Sequence, residues 1–213
     1  MFFSFDGIDG VGKSTQVRLF CDALRERRFE VAVCRDPGST PLGERIRELL
    51  LNNAAGTEIS LHSEMLLYMA ARAQLVEEVI RPALAQGKIV VSDRYLLANV
   101  AYQGHAGGLD PATIRDVGRI ATGGILPDCV FLLDMHPSEA DRRLNRPLDR
   151  MESQGDDYRK RLRDGFLSEV AHWDHRIHVI NAGRPAEIVH ADIWQIAAKV
   201  LGFSDKEPKQ ASR

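Results

Sequence analysis

The chain contains 213 residues, 44% of them hydrophobic and 27% charged, and carries a formal net charge of −2 at pH 7. These values predict one globular domain with a sizeable core, and they offer no broad basic surface for nucleic acid. No apolar stretch is long enough to cross a bilayer, and the sequence opens on a strand pattern rather than a signal peptide, so we expect no membrane association. The three cysteines, Cys21, Cys34 and Cys129, are widely spaced in apolar surroundings and are predicted to be reduced core residues of a cytoplasmic protein.

A phosphate-binding loop follows the first predicted strand, Phe2–Phe5. The pattern G-x-x-x-x-G-K-[ST] is present, and glycines there let backbone N–H groups surround phosphate oxygens. The next helix directs the positive end of its dipole at the same anion, Lys13 is expected to bind the β- and γ-phosphates, and Ser14 is expected to hold Mg²⁺. The predicted site for a nucleoside triphosphate comprises Gly7, Ile8, Asp9, Gly10, Val11, Gly12, Lys13, Ser14 and Thr15.

The first half of the chain then alternates helices and strands. Helical spacing of apolar residues predicts a helix over Thr15–Arg27, and a short second strand over Glu30–Cys34 ends in a loop, Arg35–Thr40. Pro and Gly place that loop at the carboxyl end of a strand, where open α/β sheets bind ligands. Further helices are predicted over Thr40–Leu51 and over His62–Leu84, the latter with a kink near Pro82, joined by a polar connection, Asn52–Ser60.

Two side chains in the middle of the sequence are candidates for a site. Arg72 stands among small apolar residues, which equally allows a side chain that reaches the surface and one that meets an anionic or polar ligand. Asp93 follows a continuous apolar run, Lys88–Ser92, which predicts a buried parallel strand. A carboxylate at that point is expected to be the second Mg²⁺ partner, through water, and a helix cap is the alternative.

The second half continues the alternation. The pattern predicts a helix over Leu96–Tyr102, a loop over Gln103–Gly108, a helix from Asp110–Pro111 to about Thr122, a strand over Asp128–Asp134, a helix from Ser138, a helix over Tyr158–His172, a strand over Ile177–Asn181 and a helix over Ala186–Leu201. The chain is therefore predicted to be a single α/β domain over residues 1–203, a doubly wound parallel sheet of about five strands flanked by helices. Residues 204–213 are polar and expected to be disordered.

Two clusters of basic residues precede the last strand. The first contains Arg142, Arg143, Arg146 and Arg150, and Pro147 breaks its helix, which favours a short lid over phosphates at about residues 142–155. The second contains Arg159, Lys160, Arg161 and Arg163 and is predicted to be a solvated helix face.

Two classes of function are compatible with the phosphate-binding loop. One is a GTP-binding switch, and the other is an enzyme that transfers the γ-phosphoryl group to a small acceptor. None of the five asparagines is followed by lysine, so the guanine motif Asn-Lys-x-Asp is absent from the sequence. A nucleotide kinase also needs cations for the acceptor phosphate and a lid that excludes water. Arg35, Arg72 and Arg94 are expected to converge on one rim of the sheet, which favours the kinase.

Five motifs, in order, give the chain a specific resemblance. They are Phe5-Asp6-Gly7-Ile8-Asp9-Gly10-Val11-Gly12-Lys13-Ser14-Thr15, Arg35-Asp36-Pro37-Gly38-Ser39-Thr40, Tyr68-Met69-Ala70-Ala71-Arg72-Ala73-Gln74-Leu75, Ser92-Asp93-Arg94-Tyr95 with Ala101-Tyr102-Gln103-Gly104, and Leu148-Asp149-Arg150-Met151-Glu152. With them the chain resembles the bacterial thymidylate kinases over about Met1–Leu201. The resemblance implies a P-loop nucleoside monophosphate kinase fold, homodimers, and the Mg²⁺-dependent reaction ATP + dTMP → ADP + dTDP in dTTP biosynthesis.

The resemblance also implies where dTMP binds. Arg35 and Arg94 match positions that hold the acceptor phosphate, Tyr68 one that stacks on thymine and Arg72 one that reads its edge. Tyr102 matches a ring beneath the deoxyribose that excludes a 2′-hydroxyl. Asp9 matches a residue that contacts the 3′-hydroxyl, and loop stabilisation by Asp9 and core packing by Tyr68 are the alternatives. The full dTMP set is Asp9, Arg35, Pro37, Tyr68, Arg72, Arg94, Asn99, Tyr102 and Gln103, with Arg184 expected near the adenine.

Members of this family take their transition-state arginine either from the P-loop or from the lid. Positions 10 and 11 here are Gly and Val, so the lid is expected to supply it, with Arg150 first and Arg143 or Arg146 second. The implied catalytic set is Asp9, Lys13, Arg94, Arg143, Arg146 and Arg150. Asp6 and Asp36 stand where the family usually has Glu, and the second change affects how Arg35 is braced. A kinase for dUMP, UMP or CMP is the nearest alternative.

Overall fold

A five-stranded parallel sheet forms the centre of the structure, a computed structural model that describes residues 1–51, 58–144 and 155–203. The strands lie in the order β2-β3-β1-β4-β5, and each neighbouring pair is parallel. Their bounds are β1 (Phe2–Asp6), β2 (Val31–Arg35), β3 (Ile89–Asp93), β4 (Cys129–Asp134) and β5 (Ile177–Asn181). The predicted fold class is confirmed, because the alternating pattern required crossover connections and hence parallel pairing.

Helices cover both faces of this sheet. They are α1 (Lys13–Glu26), α2 (Pro41–Leu51), α3 (Leu61–Leu75), α4 (Arg81–Ala85), α5 (Leu96–Asn99), α6 (Pro111–Thr122), α7 (Pro137–Arg142), α8 (Asp156–Ser168) and α9 (Ala186–Val200), with π-helical segments at Val76–Ile80 and Val100–Ala106 and a 3₁₀ turn at Glu169–His172. None of the helices in the described ranges is both long and apolar enough to cross a membrane.

The central strand β1 positions the loop that follows it. Phe3 and Phe5 are fully buried, and their rings pack against those of Phe20 on α1 and Phe131 on β4 at centroid distances of 5.0–6.0 Å. Aromatic side chains of this size contribute much of the free energy of core packing. The phosphate-loop motif therefore follows directly from the buried central strand of the sheet, at its carboxyl edge.

The kink predicted near Pro82 takes the form of a π-helical insertion between α3 and α4. Pro82 has no N–H group, and the N–H of Arg81 bonds five residues back, to the carbonyl of Val76. Such insertions accommodate a proline without breaking the helix axis completely.

The loop predicted from Gln103 to Gly108 is wrong over its first four residues. The helix that starts at Leu96 continues as π-helix through Ala106, and its residues 100–104 are buried. Helix α8 packs against this π segment, and Gly165 allows the close approach, because a Cβ there would lie 2.4 Å from the Cβ of His105. Tertiary packing thus overrides the loop signal given by Gly104 and Gly107.

The second basic cluster is only partly the solvated face that its pattern predicted. Arg159 is buried and pairs with Asp141 on α7, and Arg163 donates to both carboxylate oxygens of Asp134 at 2.7 and 2.8 Å. Lys160, with 63% of its side chain exposed, and Arg161, which is also exposed, fit the prediction. Two of the arginines therefore attach α8 to α7 and to the end of β4.

The cysteines are free, and all three are buried, as predicted. Burial raises the pKa of Cys21 to about 11 and that of Cys129 to about 12, so these thiols stay protonated at neutral pH. Most of the predicted lid, from residue 145 to residue 154, and the tail, 204–213, lie outside the described residues.

Candidate active site

The phosphate-loop glycines are required by close backbone contacts. Gly7 and Gly10 have φ of +134° and +87°, a region that side chains rarely adopt. An added Cβ would lie 2.4 Å from the Leu133 carbonyl oxygen at Gly7 and 2.3 Å from the Ala140 carbonyl oxygen at Gly10. The loop is thus seated on the end of β4 and on α7, and it leads straight into α1.

Helix α1 begins without a side-chain cap. Gly12 is its N-cap residue, and no side chain accepts from the first backbone N–H groups. Uncapped N–H groups and the helix dipole favour an anion at this position. Lys13 Nζ donates to the carbonyls of Gly7 at 3.1 Å and Ile8 at 2.8 Å, and its ammonium group is buried.

The Asp9 carboxylate bridges the loop to two other elements. Its Oδ1 accepts from Arg94 at 2.6 Å and Lys13 at 3.3 Å, and its Oδ2 accepts from the Tyr102 hydroxyl at 3.0 Å. Burial alone would raise the pKa of Asp9, but the charges of Arg94 and Lys13 outweigh it and hold that pKa well below its usual range. Asp9 is therefore an anion that joins the loop, the end of β3 and the π segment 100–106.

Arg94 is held by an unusual backbone conformation. Its φ is +70°, its N–H donates to the Phe5 carbonyl at 2.9 Å, and its own carbonyl accepts from Ser92 Oγ at 2.6 Å. These bonds direct the guanidinium towards Gly7, whose carbonyl accepts from it at 2.9 Å. A non-glycine residue with positive φ costs free energy and is common where a functional side chain must be aimed.

A cleft of about 580 Å³ lies along the phosphate loop. Its walls include most of the residues predicted from sequence for the donor nucleotide, which are Asp9, Gly10, Val11, Gly12, Lys13, Ser14, Thr15 and Arg184. They also include the predicted metal ligand Asp93 and three other predicted arginines, Arg35, Arg94 and Arg143. Gly7 and Ile8 do not line it but supply carbonyls that hold Lys13. The cleft has the size of small-molecule sites in general.

A second cavity, of about 110 Å³, adjoins the cleft and shares four residues with it, Asp9, Asp36, Arg47 and Arg94. All the residues predicted for dTMP line it except Arg35: Asp9, Pro37, Tyr68, Arg72, Arg94, Asn99, Tyr102 and Gln103. Tyr68 lines this cavity and also packs against the cluster of Ile46, Leu50 and Ala71. Leu51 and Ala98 complete the apolar part of the wall.

Arg72 does not reach the surface. It is 1% exposed, its Nε donates to Asp36 Oδ2 at 2.5 Å, and its terminal nitrogens donate to Asn99 Oδ1 at 3.0 Å and to the Tyr95 carbonyl at 3.3 Å. The expectation that Asp36 concerns the bracing of Arg35 is wrong, because Asp36 braces Arg72. Arg35 is instead held by Glu44, at 2.7 Å.

Sequence reasoning missed Arg47, which lines both cavities. It lies on α2 and donates to the Pro37 carbonyl at 3.0 Å. Burial, and then the positive charges of Arg35 and Arg94, lower its pKa. Arg47 lies one turn before Leu50 and Leu51, on the helix that follows the loop Arg35–Thr40. A helical pattern alone does not distinguish Arg47 from the exposed Arg45 on the same helix, so the sequence did not identify it as a site residue.

Ser14 and Asp93 are the candidates for a cation. The Ser14 hydroxyl lies 3.3 Å from Asp93 Oδ2, and both residues line the cleft. The helix-cap alternative for Asp93 is wrong, because Tyr95 is the N-cap residue of α5. One hydroxyl and one carboxylate suit Mg²⁺, which takes oxygen ligands and retains several waters or phosphate oxygens. In the described ranges, no group of three or more His, Cys, Asp or Glu side chains could hold a metal by itself.

The opposite wall of the cleft comes from the loop after β5. Arg143 donates to the Ala182 carbonyl at 3.1 Å, and Arg184 pairs with Asp192 on α9. Gln16 on α1 donates to the Ala186 carbonyl at 2.9 Å and joins this loop to the phosphate loop. Arg146 and Arg150, the other predicted lid arginines, lie outside the described residues.

A phosphate-loop cleft that shares its cations with a second, smaller cavity on a parallel five-stranded sheet defines a P-loop nucleoside monophosphate kinase. Comparison with known proteins narrows this class. The thymidylate kinase family profile matches residues 5–193. A thymidylate kinase of Bifidobacterium longum is 45% identical over 195 residues, which cover 91% of this chain and 95% of that protein. One from Pelotomaculum thermopropionicum is 41% identical over 203 residues, 94% of each chain.

A solved structure supports the same family assignment as these sequence matches. The crystal structure of thymidylate kinase from Ehrlichia chaffeensis superposes with a TM-score of 0.76 at 31% identity, over 92% of this chain and 98% of that one. The chain belongs to the thymidylate kinase family.

One pH-dependent effect follows from Asp6, at the end of β1. Burial raises the pKa of Asp6 to about 6, despite the opposing charges of Arg94 and Lys13, from 3.8 for a free carboxyl group. The folded state therefore binds the proton more tightly than the unfolded state, and stability falls as the pH rises from about 4 to about 6. We expect Asp6→Asn, relative to wild type, to gain about 1–1.5 kcal/mol in free energy of unfolding between pH 5 and pH 8.

Urea denaturation at the two pH values measures this difference. Asp164→Asn, at an exposed position on α8, is the matched control for removing a carboxylate. If the Asp6→Asn and control variants show the same pH dependence, Asp6 does not titrate in this range.

Proposed function

We propose that this protein transfers the γ-phosphoryl group of ATP to dTMP, giving ADP and dTDP, with Mg²⁺, as a step in dTTP biosynthesis. The observation that carries the proposal is the pair of adjoining cavities that share Asp9, Arg47 and Arg94. Two polyanions must be brought together for this reaction, and shared cations at the junction reduce their mutual repulsion. The family membership of the chain supports the same substrates.

The donor occupies the larger cleft in this proposal. Its β- and γ-phosphates lie against the amides of the phosphate loop, and Lys13 exchanges the carbonyls of Gly7 and Ile8 for phosphate oxygens. Mg²⁺ is held by Ser14 and by Asp93 through water, and it neutralises charge on the phosphates when bound. Arg184, on the far wall, lies near the adenine.

The acceptor occupies the smaller cavity. Arg94, Arg47 and Arg35 hold its phosphate, and Arg47 joins the set because it lies beside the other two. Tyr68 stacks on thymine, and the deoxyribose lies over Tyr102, which is 9% exposed and held by Asp9 through its hydroxyl. Arg72, Asn99, Gln103 and Pro37 surround the base.

No general base is required, because the acceptor phosphate is an anion at neutral pH. Catalysis then consists of alignment and of stabilising the charge that spreads over the transferred group. Lys13 and Arg94 supply two of the cations, Asp9 keeps both in place, and an arginine of the lid segment supplies the third. Arg150 is our first choice, with Arg143 and Arg146 next.

We also propose that the protein is a cytoplasmic homodimer. Two leucines on the packed helices α2 and α3 are exposed, Leu49 by 43% and Leu66 by 54%, and a partner copy would cover them. Three buried thiols suit a reducing compartment.

A panel of monophosphates tests the assignment. ADP release, measured with a coupled assay, should show kcat/KM for dTMP at least about tenfold above that for dUMP, UMP and CMP, equivalent to about 1.4 kcal/mol. A smaller preference would make this chain a kinase of broader specificity.

The inclusion of Arg47 is tested by Arg47→Ala. Loss of a partly buried cation at the acceptor phosphate should raise KM for dTMP by about 10–100-fold and leave KM for ATP within about threefold. Arg45→Ala, two residues earlier and exposed, is the matched control and should match wild type. An unchanged KM for dTMP in Arg47→Ala would remove Arg47 from the phosphate site.

The lid arginine is tested by Arg150→Ala. A cation used only in the transition state should, when removed, lower kcat by a factor on the order of a thousand with little change in dTMP binding. Arg143→Ala is measured in parallel, and Arg119→Ala, whose side chain is 73% exposed on α6, is the control. An unchanged kcat in Arg150→Ala together with a large loss in Arg143→Ala would assign the role to Arg143.

A further inference from the structure

Five buried side chains form one hydrogen-bonded series beneath the smaller cavity. In order they are Asp36, Arg72, Asn99, Gln103 and Glu64, and none is more than 3% exposed. The donor–acceptor distances along the series are 2.5 Å from Arg72 to Asp36, 3.0 Å from Arg72 to Asn99, 2.6 Å from Asn99 to Gln103 and 2.8 Å from Gln103 to Glu64. We call this series the pocket-floor chain.

The pocket-floor chain runs in one direction. The guanidinium of Arg72 only donates, so Asn99 turns its Oδ1 towards it and its Nδ2 towards Gln103. Gln103 accepts through Oε1, and its Nε2 donates to Oε1 of Glu64, whose carboxylate only accepts. Arg72 and Glu64, the charged groups on either side of the two amides, therefore select one orientation of each amide from two that have almost the same shape.

The direction of the pocket-floor chain determines which hydrogen-bonding groups are available to a ligand in the smaller cavity. Arg72, Asn99 and Gln103 line the cavity, whereas Glu64 does not. The bonds from Asn99 to Gln103 and from Gln103 to Glu64 each use one amide hydrogen, so Asn99 Nδ2 and Gln103 Nε2 each retain a second hydrogen. A floor made of such donors favours a pyrimidine with carbonyl oxygens over one that carries an amino group, which is itself a donor.

On the basis of the proposed function, we propose that Glu64 is a positioning residue that sets the preference for keto pyrimidines over cytosine. Its carboxylate is the acceptor that makes the observed orientation of Gln103 better than the reversed one. In the reversed orientation, Gln103 would turn its amide nitrogen to Asn99 Nδ2 and its oxygen to the carboxylate, so two contacts would be unfavourable.

Glu64→Met removes the acceptor at nearly constant length. The observed orientation of Gln103 then leaves a buried donor unpaired, so it loses its advantage over the reversed one. We expect the ratio of dissociation constants for dCMP and dTMP to fall by about tenfold. The ratio for dUMP and dTMP should stay within about threefold, because uracil and thymine carry the same carbonyl and N–H groups.

Glu64→Gln is the conservative variant. It keeps an acceptor oxygen and should retain the wild-type ratio for dCMP and dTMP within about threefold. Glu77→Gln, whose side chain is 64% exposed on the same helical stretch, controls for the loss of a negative charge. Isothermal titration calorimetry on the full chain gives the dissociation constants, and thermal melting checks that each variant is folded.

The outcomes separate this inference from the proposed function. If wild type binds dCMP as tightly as dTMP, both are wrong. If wild type prefers dTMP but Glu64→Met keeps the wild-type ratio, or changes the dUMP ratio equally, only the role of Glu64 is wrong. A tenfold loss of the ratio in Glu64→Gln would also overturn it, and this test holds even if Glu64→Met does not fold.

Discussion

The Asp9 carboxylate is the contact on which the rest of the site depends. Three groups from different parts of the chain converge on it: Lys13 from the phosphate loop, Arg94 from the end of β3 and Tyr102 from the π segment 100–106. A buried carboxylate is costly unless it is paired and hydrogen-bonded, and here both cations and a hydroxyl satisfy it. Because Asp9 lines both cavities, its contacts also fix how the two cavities lie relative to each other.

The positive charges around this anion are only partly compensated. Arg35 has Glu44 and Arg94 has Asp9, but Arg47 has only the Pro37 carbonyl among the partners described. Its lowered pKa reflects burial and the repulsion of the two neighbouring arginines. A bound phosphate would relieve that repulsion, so the site is electrostatically prepared for an anion before any ligand arrives.

The polar groups below the smaller cavity are held in place by hydrogen bonds to one another. Arg72 is braced by Asp36 and gives direction to two amides that end on Glu64. A buried network whose members are hydrogen-bonded to one another specifies one arrangement, and of its five members only Asp36 keeps a buried oxygen, Oδ1, without a hydrogen-bond partner. The acid at position 36 thus contacts the buried Arg72, whereas the exposed Arg35 is held by Glu44.

Much of the architecture followed from local signals. Continuous apolar runs gave the buried strands, and Asp110–Pro111 gave a helix start that the structure reproduces. The prediction failed where packing by distant residues outweighs local preference. Gly104 and Gly107 predicted a loop. However, α8 packs closely against that segment at Gly165, and the segment is π-helical as far as Ala106. The pattern predicted a solvated Arg159, but this side chain is buried and pairs with Asp141 on α7.

The sequence by itself determined the phosphate loop, the parallel sheet and the family, because these are written in spacings between neighbouring residues. Only the tertiary structure decided which distant side chains meet. Arg47 and Glu64 gave no separate signal, since each is an ordinary charged residue in a helix pattern, and the pairing of Arg72 with Asp36 was not predicted. Their significance comes from through-space contacts between elements up to about 40 residues apart, such as Gln103 with Glu64 across 39 positions, and no local pattern encodes such contacts.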